Sequence, residues 1–163
     1  MGDLRRCAGG TAAYASPEAR SQIDGCSVKR TRAALLAEMI CDTTFLSDVL
    51  RERLDGRPRG ALAFLAAHRN HPFLTTVISV GETAAMYANP EDVRPLLTRY
   101  RQLRLTPEIA FAAASVDREL ILLGQRLGEN DNWIAGFCRY YGQPIVSRDA
   151  AFARVRALRR LEY

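Results

Sequence analysis

The chain has 163 residues, 48% hydrophobic and 25% charged, with a net charge of +5. That supplies apolar material for one core and one domain, with a charge share ordinary for a water-soluble protein. No apolar run approaches the roughly 20 residues needed to cross a bilayer. Arg5 and Arg6 lead no apolar stretch. The expectation is therefore no membrane span, no secretory leader and a cytoplasmic protein.

Residues 1 to about 29 carry Gly, Ala, Ser and charge with no helical or strand period. Residues 1–32 are expected to be a poorly ordered extension or a mis-assigned start, with the domain over 33–163. A start at Met39 would open the protein Met-Ile-Cys-Asp, with an acid just after a short first strand. The alternative is a flexible arm that helps bind RNA or a partner. From Met39 on, strand and helix signals alternate. Met39 to Cys41 reads as a strand, Phe45 to Leu54 as a helix, and Asp55-Gly56-Arg57-Pro58 as a turn. Ala61 to His68 reads as a second helix. Phe73 to Ile78 is rich in β-branched residues and reads as a buried strand. A helix through Glu82 and Met86 follows. Asn89-Pro90 breaks it, and helix resumes to Gln102. Leu103 to Leu105 reads as a short strand. Pro107 opens a long helix to about Leu127, ended by Gly128. Asp131 to Tyr141 reads as a helix stopped by Gly142, Pro144 to Val146 as a strand, and Ala150 to Val155 as a helical turn, with an edge strand after it. This alternation predicts an α/β protein with a parallel sheet and helices on both faces. Neither a Walker-type nor a Rossmann-type glycine loop is present, which argues against a nucleotide-dependent enzyme.

In an open α/β sheet, ligands bind where the strands end. Asp42 follows the first strand directly, Glu82 lies early in the helix after the second, and Asp149 lies just beyond Val146. Asp131 opens a helix at the same edge, after the turn Gly128-Glu129-Asn130. Converging carboxylates repel one another unless a positive charge sits among them. A hard divalent cation is the natural partner, and two such ions suit phosphodiester cleavage. Each acid alone also suits a local role. Asp42, Asp131 and Asp149 are placed to cap helices, and Glu82 to favour a helix dipole. The reading rests on the set.

The segments around these acids resemble a known family. Ile40-Cys41-Asp42-Thr43-Thr44-Phe45-Leu46 is similar to the opening strand of PIN domains, and Val80-Gly81-Glu82 to their second acidic position. Gly128-Glu129-Asn130-Asp131-Asn132-Trp133-Ile134-Ala135 and Gly142-Gln143-Pro144-Ile145-Val146-Ser147-Arg148-Asp149-Ala150-Ala151-Phe152 resemble the third and closing segments of VapC-type toxins. The resemblance covers about Met39 to Tyr163. It implies a three-layer α/β/α PIN-like fold with a central parallel sheet. It also implies an endoribonuclease that hydrolyses RNA phosphodiester bonds with Mg²⁺ or Mn²⁺. Asp42, Glu82, Asp131 and Asp149 would be the catalytic metal ligands, with Thr43, Thr44 and Ser147 orienting carboxylates or metal waters. The family is generally homodimeric and is usually restrained by a small antitoxin protein. Ser147 stands where threonine is common, and both offer a hydroxyl. Ala151 stands where some members carry a further acid, so no fifth ligand is expected. The alternatives are a nuclease acting on DNA and a non-catalytic PIN-like binding module.

Other residues carry weaker signals. The four cysteines, Cys7, Cys26, Cys41 and Cys138, form no C-x-x-C pair, so no zinc site is expected. Cys41 and Cys138 read as buried, reduced thiols. His68 and His71 do not share one helix face, so packing is preferred over metal binding. Packing is likewise preferred to base stacking for Trp133. Lys29 is the only lysine. The basic charge is thus almost all arginine, which pairs with phosphate in bidentate fashion but also follows from codon preference. Three groups stand out: Arg51, Arg53, Arg57 and Arg59; Arg99, Arg101 and Arg104; and Arg154, Arg156, Arg159 and Arg160. All suit a solvated helical face, and the first is preferred for phosphate contact.

Overall fold

The computed structural model describes residues 38–163. The expected extension over residues 1–32, with Cys7 and Cys26, lies outside the described residues. Strand β1 (Met39–Cys41) is the centre of the fold. It pairs in parallel with β2 (Phe73–Thr76) on one side and β4 (Ile145–Val146) on the other. β3 (Arg101–Leu103) extends the sheet beyond β2, and β5 (Arg160–Leu161) extends it beyond β4. The order is β3-β2-β1-β4-β5, parallel throughout.

Burial follows from this position. Successive residues of a strand face opposite sides, so a central strand covered on both sides must be apolar at every position. Met39, Ile40 and Cys41 are all buried. Ile40 stands in register with Leu74 and Ile145, and these three join one core cluster with α5 (Pro107–Leu122) and α6 (Glu129–Tyr141). Met39, Cys41 and Val146 join the other, with α1 (Thr43–Leu54) and Ala61 of α2 (Gly60–Ala67). The result is the expected α/β/α sandwich.

Boundaries differ where side-chain capping or strand pairing outweighs local propensity. The strand expected to run to Ile78 stops at Thr76. The Thr76 hydroxyl accepts from the Ser79 amide at 3.0 Å and caps α3 (Val77–Ala85), so Val77 and Ile78 are helical despite their branching. The helix expected from Pro90 to Gln102 is instead a 3₁₀ turn (Pro90–Val93) and a single α-turn, α4 (Arg94–Leu97). β3 begins earlier than Leu103 because Arg101 pairs with Leu74. The long helix ends at Leu122 rather than Leu127. Gly124 takes a left-handed conformation (φ 65°), and the Gln125 amide donates back to the Leu120 carbonyl. α6 begins at Glu129, so Asp131 lies inside its first turn and does not cap it.

The α5–α6 contact is close because Gly136 has no side chain. A Cβ there would lie 2.6 Å from the Cβ of Ala113 and 2.8 Å from its Cα. Gly142, left-handed at φ 64°, ends α6 as the sequence predicts. No described helix is long and apolar enough to cross a membrane.

Candidate active site

Asp42 leaves the end of β1 at the sheet's carboxyl edge and is only 2% exposed. Its carboxylate caps α1 by accepting from the Phe45 amide at 2.8 Å. It also accepts from the Thr44 hydroxyl at 2.9 Å and from the Ser147 hydroxyl at the end of β4. Ser147 in turn accepts from the Asp149 amide at 2.9 Å. Asp149 caps the 3₁₀ turn Ala150–Arg154 by accepting from the Ala151 amide at 2.7 Å. Capping and a place at the site therefore coexist in Asp42 and Asp149.

A second chain of contacts runs along the helices. The Thr43 hydroxyl donates to the Glu82 carboxylate, and the Asn130 amide donates to the same group at 2.7 Å. Asn130 precedes Asp131 in the first turn of α6. The sequence alone offers Asn130 in a turn and within the third family-like segment, with no role for its side chain. Its signal was its position beside Asp131, on the face turned to α3.

Electrostatics tie the two chains together. Burial pushes the Asp42 carboxyl up, against hydrogen bonds from Ser147, Phe45 and Thr44, and the charge of Asp131 pushes it further. Asp131 is half-buried. Burial raises it first, then the charges of Asp149 and Glu82. Asp131 is thus the member that feels or affects all the others. Among the described residues, no cation figures in the forces acting on Asp42 or Asp131. Buried like charges without a counter-charge cost stability, and they suit a hard cation in charge and donor type. Among the described residues, no three His, Cys, Asp or Glu side chains already form a metal cage. The carboxylates of Asp42, Glu82 and Asp149 are engaged instead in the hydrogen bonds described above.

The remaining candidates fall elsewhere. The His68 ring stacks on Phe64 at 4.1 Å between centroids, with Nδ1 2.9 Å from the Phe64 carbonyl, and His71 lies edge-on to it. The pair belongs to an aromatic cluster. Trp133 is half-buried and lines a hollow with Ala110, Ala114 and Leu127, facing α5. Cys41 and Cys138 are buried free thiols, and burial pushes both up.

Residues 39–158 match the family model described as PIN domain. No curated protein sequence matches the chain. Solved structures with the same fold include VapBC2 from Rickettsia felis bound to a promoter DNA fragment. It has a TM-score of 0.67 and 16% identity, covering 77% of this chain and 98% of that one. DNA-bound VapBC from Salmonella typhimurium gives 0.67 and 19%, with the same coverage of 77% and 98%. VapBC-5 from Mycobacterium tuberculosis, a member of the VapBC family of toxin-antitoxin systems, gives 0.58 and 18%, covering 78% and 99%.

Proposed function

Because the chain belongs to the PIN-domain family, we propose that it is a metal-dependent endoribonuclease in which Asp42, Glu82, Asp131 and Asp149 hold Mg²⁺ or Mn²⁺. The observation that carries this reading is the convergence of the acids: Asp131 acts on Asp42 and is acted on by Asp149 and Glu82. Burial comes first in raising them, then the charge of Asp131 at Asp42 and the charges of Asp149 and Glu82 at Asp131, and among the described residues no cation figures against them. A divalent cation there would supply Lewis acidity toward a phosphodiester oxygen and make water a better nucleophile near neutral pH. The chain's own residues do the positioning. Thr44 and Ser147 fix the Asp42 carboxylate, and Thr43 and Asn130 fix that of Glu82. Ser147 also ties the Asp149 backbone to Asp42, so one hydroxyl joins the ends of β1 and β4. Holding oxygens in a fixed array before substrate arrives is what a metal site asks of its supporting groups.

The biological role belongs to the same proposal. Neighbours in fold include VapBC structures, one described as a member of a family of toxin-antitoxin systems, which supports a toxin restrained by a small antitoxin; action on RNA, in the cytoplasm and as a homodimer, is part of the same proposal. The test is cleavage of total cellular RNA by the purified, antitoxin-free chain with Mg²⁺ or Mn²⁺. Discrete fragments that vanish with EDTA and in Asp131→Asn are expected. Equal cleavage with EDTA would remove the metal from the account. Cleavage of DNA but not RNA, or of neither by a folded sample, would favour one of the alternatives.

A further inference from the structure

A second cluster lies beside the acids and is not needed to hold them. Asp48, on α1, is buried at 4% exposure. Its carboxylate accepts from Arg51, from Nη1 of Arg148 at 2.9 Å and from the Tyr163 hydroxyl at 2.9 Å. These residues line a cavity of about 230 Å³ together with Glu52, Arg59 and Gly60. Arginines outnumber acids in that lining. The carboxylate of Glu52 is turned away to the backbone amides of Arg59, Ala61 and Leu62. The arginine side chains of Arg51 and Arg148 remain about half exposed, at 52% and 56%.

The chemistry of such a cavity is specific. A guanidinium carries five N–H donors in a fixed fork, and Asp48 occupies only part of each. The buried carboxylate thus holds two guanidinium groups at one cavity, each about half exposed and with donors to spare. That is a fork for an anion of tetrahedral oxygens. Its location adds to this. Arg148 is flanked in sequence by Ser147 and Asp149. The Tyr163 side chain, which reaches Asp48, also lies within electrostatic reach of Thr44 and Asp42.

We propose that the cavity between Arg51 and Arg148 receives a non-scissile phosphate of the bound RNA strand, with Arg148 as a positioning residue. This rests on the nuclease reading for the identity of the strand. A strand with one phosphate at the four acids runs past Tyr163 into the arginine fork. The fork supplies the positive charge that the acidic edge lacks, and fixes the direction in which the strand crosses it.

The test is binding of a short fluorescein-labelled single-stranded RNA to the full chain in EDTA, followed by anisotropy over a range of salt. Arg148→Ala is expected to weaken binding about tenfold, the worth of one charge-assisted contact. The slope of log affinity against log salt should fall by about 0.7, the value for one phosphate contact on a single strand. Arg148→Lys should restore most of the slope but less of the affinity, since it keeps the charge and loses the fork. Arg94→Ala, which removes an exposed arginine paired with Glu91, should change neither quantity. Melting curves check that each variant is folded, and Arg51→Ala carries the same expectation should Arg148→Ala fail to fold. Wild-type affinity and slope in Arg148→Ala, an equal loss in Arg94→Ala, or no RNA binding by the unaltered chain would overturn the proposal. The two readings fail separately. A chain that binds RNA through Arg148 but never cleaves it refutes the nuclease, and one that cleaves RNA while Arg148→Ala binds normally refutes the fork.

Discussion

Helix α1 has a buried carboxylate at each end, and the two are treated in opposite ways. Glu52, 5% exposed, accepts from the amides of Arg59, Ala61 and Leu62 at 2.8–3.0 Å and so caps α2 from outside the helix. Burial works to raise it, but the three amides and the Arg59 charge prevail and hold it below the usual carboxylate range. Asp42, 2% exposed, also accepts several hydrogen bonds, yet burial prevails there and its carboxyl is raised. Burial comes first among the causes at Asp42, and the company adds to it. Glu52 faces orphan helix donors and an arginine, whereas Asp42 faces Asp131. A buried acid that its surroundings satisfy is structural, and one left with a deficit beside other acids is a candidate to hold a cation.

The largest effect that tests this contrast is on chemistry. Asp131→Asn should lower metal-dependent RNA cleavage at least about a hundredfold, since loss even of groups that support a metal site costs up to that much. Glu52→Ala should act on stability first. It leaves the start of α2 with orphan amides and is expected to cost about 3 kcal/mol in denaturant unfolding, while any loss of cleavage per folded molecule stays far smaller than in Asp131→Asn. A Glu52→Ala variant that kept its stability but lost activity would invert the comparison. Gly136→Ala comes next. The added methyl meets the backbone of Ala113, so overpacking should cost about 1–3 kcal/mol. Because α6 carries Asn130 and Asp131, cleavage should fall with it; an unchanged rate would mean that α6 shifts without moving the acids.

How much of this the sequence disclosed depends on whether the signal was local. β1 was legible residue for residue, because a buried apolar triplet before an acid reads the same in any context. The ends of α6 were nearly so, since Gly142 is a local stop. β3 was misplaced because Arg101 and Gln102 carry no strand signal of their own and are strands only by pairing with Leu74 and Thr75. β2 was drawn too long because the Thr76 hydroxyl outweighs two branched residues. At the site, the four acids could be nominated from their places at strand ends. Asn130, Asp48, Arg148 and Tyr163 could not, because what distinguishes them is contact across a sequence distance: Tyr163 with Asp48, and Asn130 with Glu82.

The smallest effect is the sharpest test of the deficit itself. Asp131 is raised, so the stability it contributes is fully present below its unfolded value and is lost as pH rises through its folded value. At neutral pH the metal-free chain therefore carries a repulsion that Asp131→Asn removes. The variant should be more stable by about 0.5 kcal/mol, a modest figure because half-exposure lets solvent screen the charges. Melting curves in EDTA should show that gap close as pH falls toward the ordinary carboxylate range, where wild-type Asp131 protonates. Asp42→Asn should show no such gain. Its oxygens already accept from Phe45, Thr44 and Ser147, and an amide nitrogen would face one of those donors. Added Mg²⁺ should raise the melting temperature of the wild type well above that of Asp131→Asn, because an ion bound only by the folded state stabilises it. Equal shifts in both would place the ion away from Asp131, and the absence of any gap in EDTA would mean that the acids are not in deficit at all.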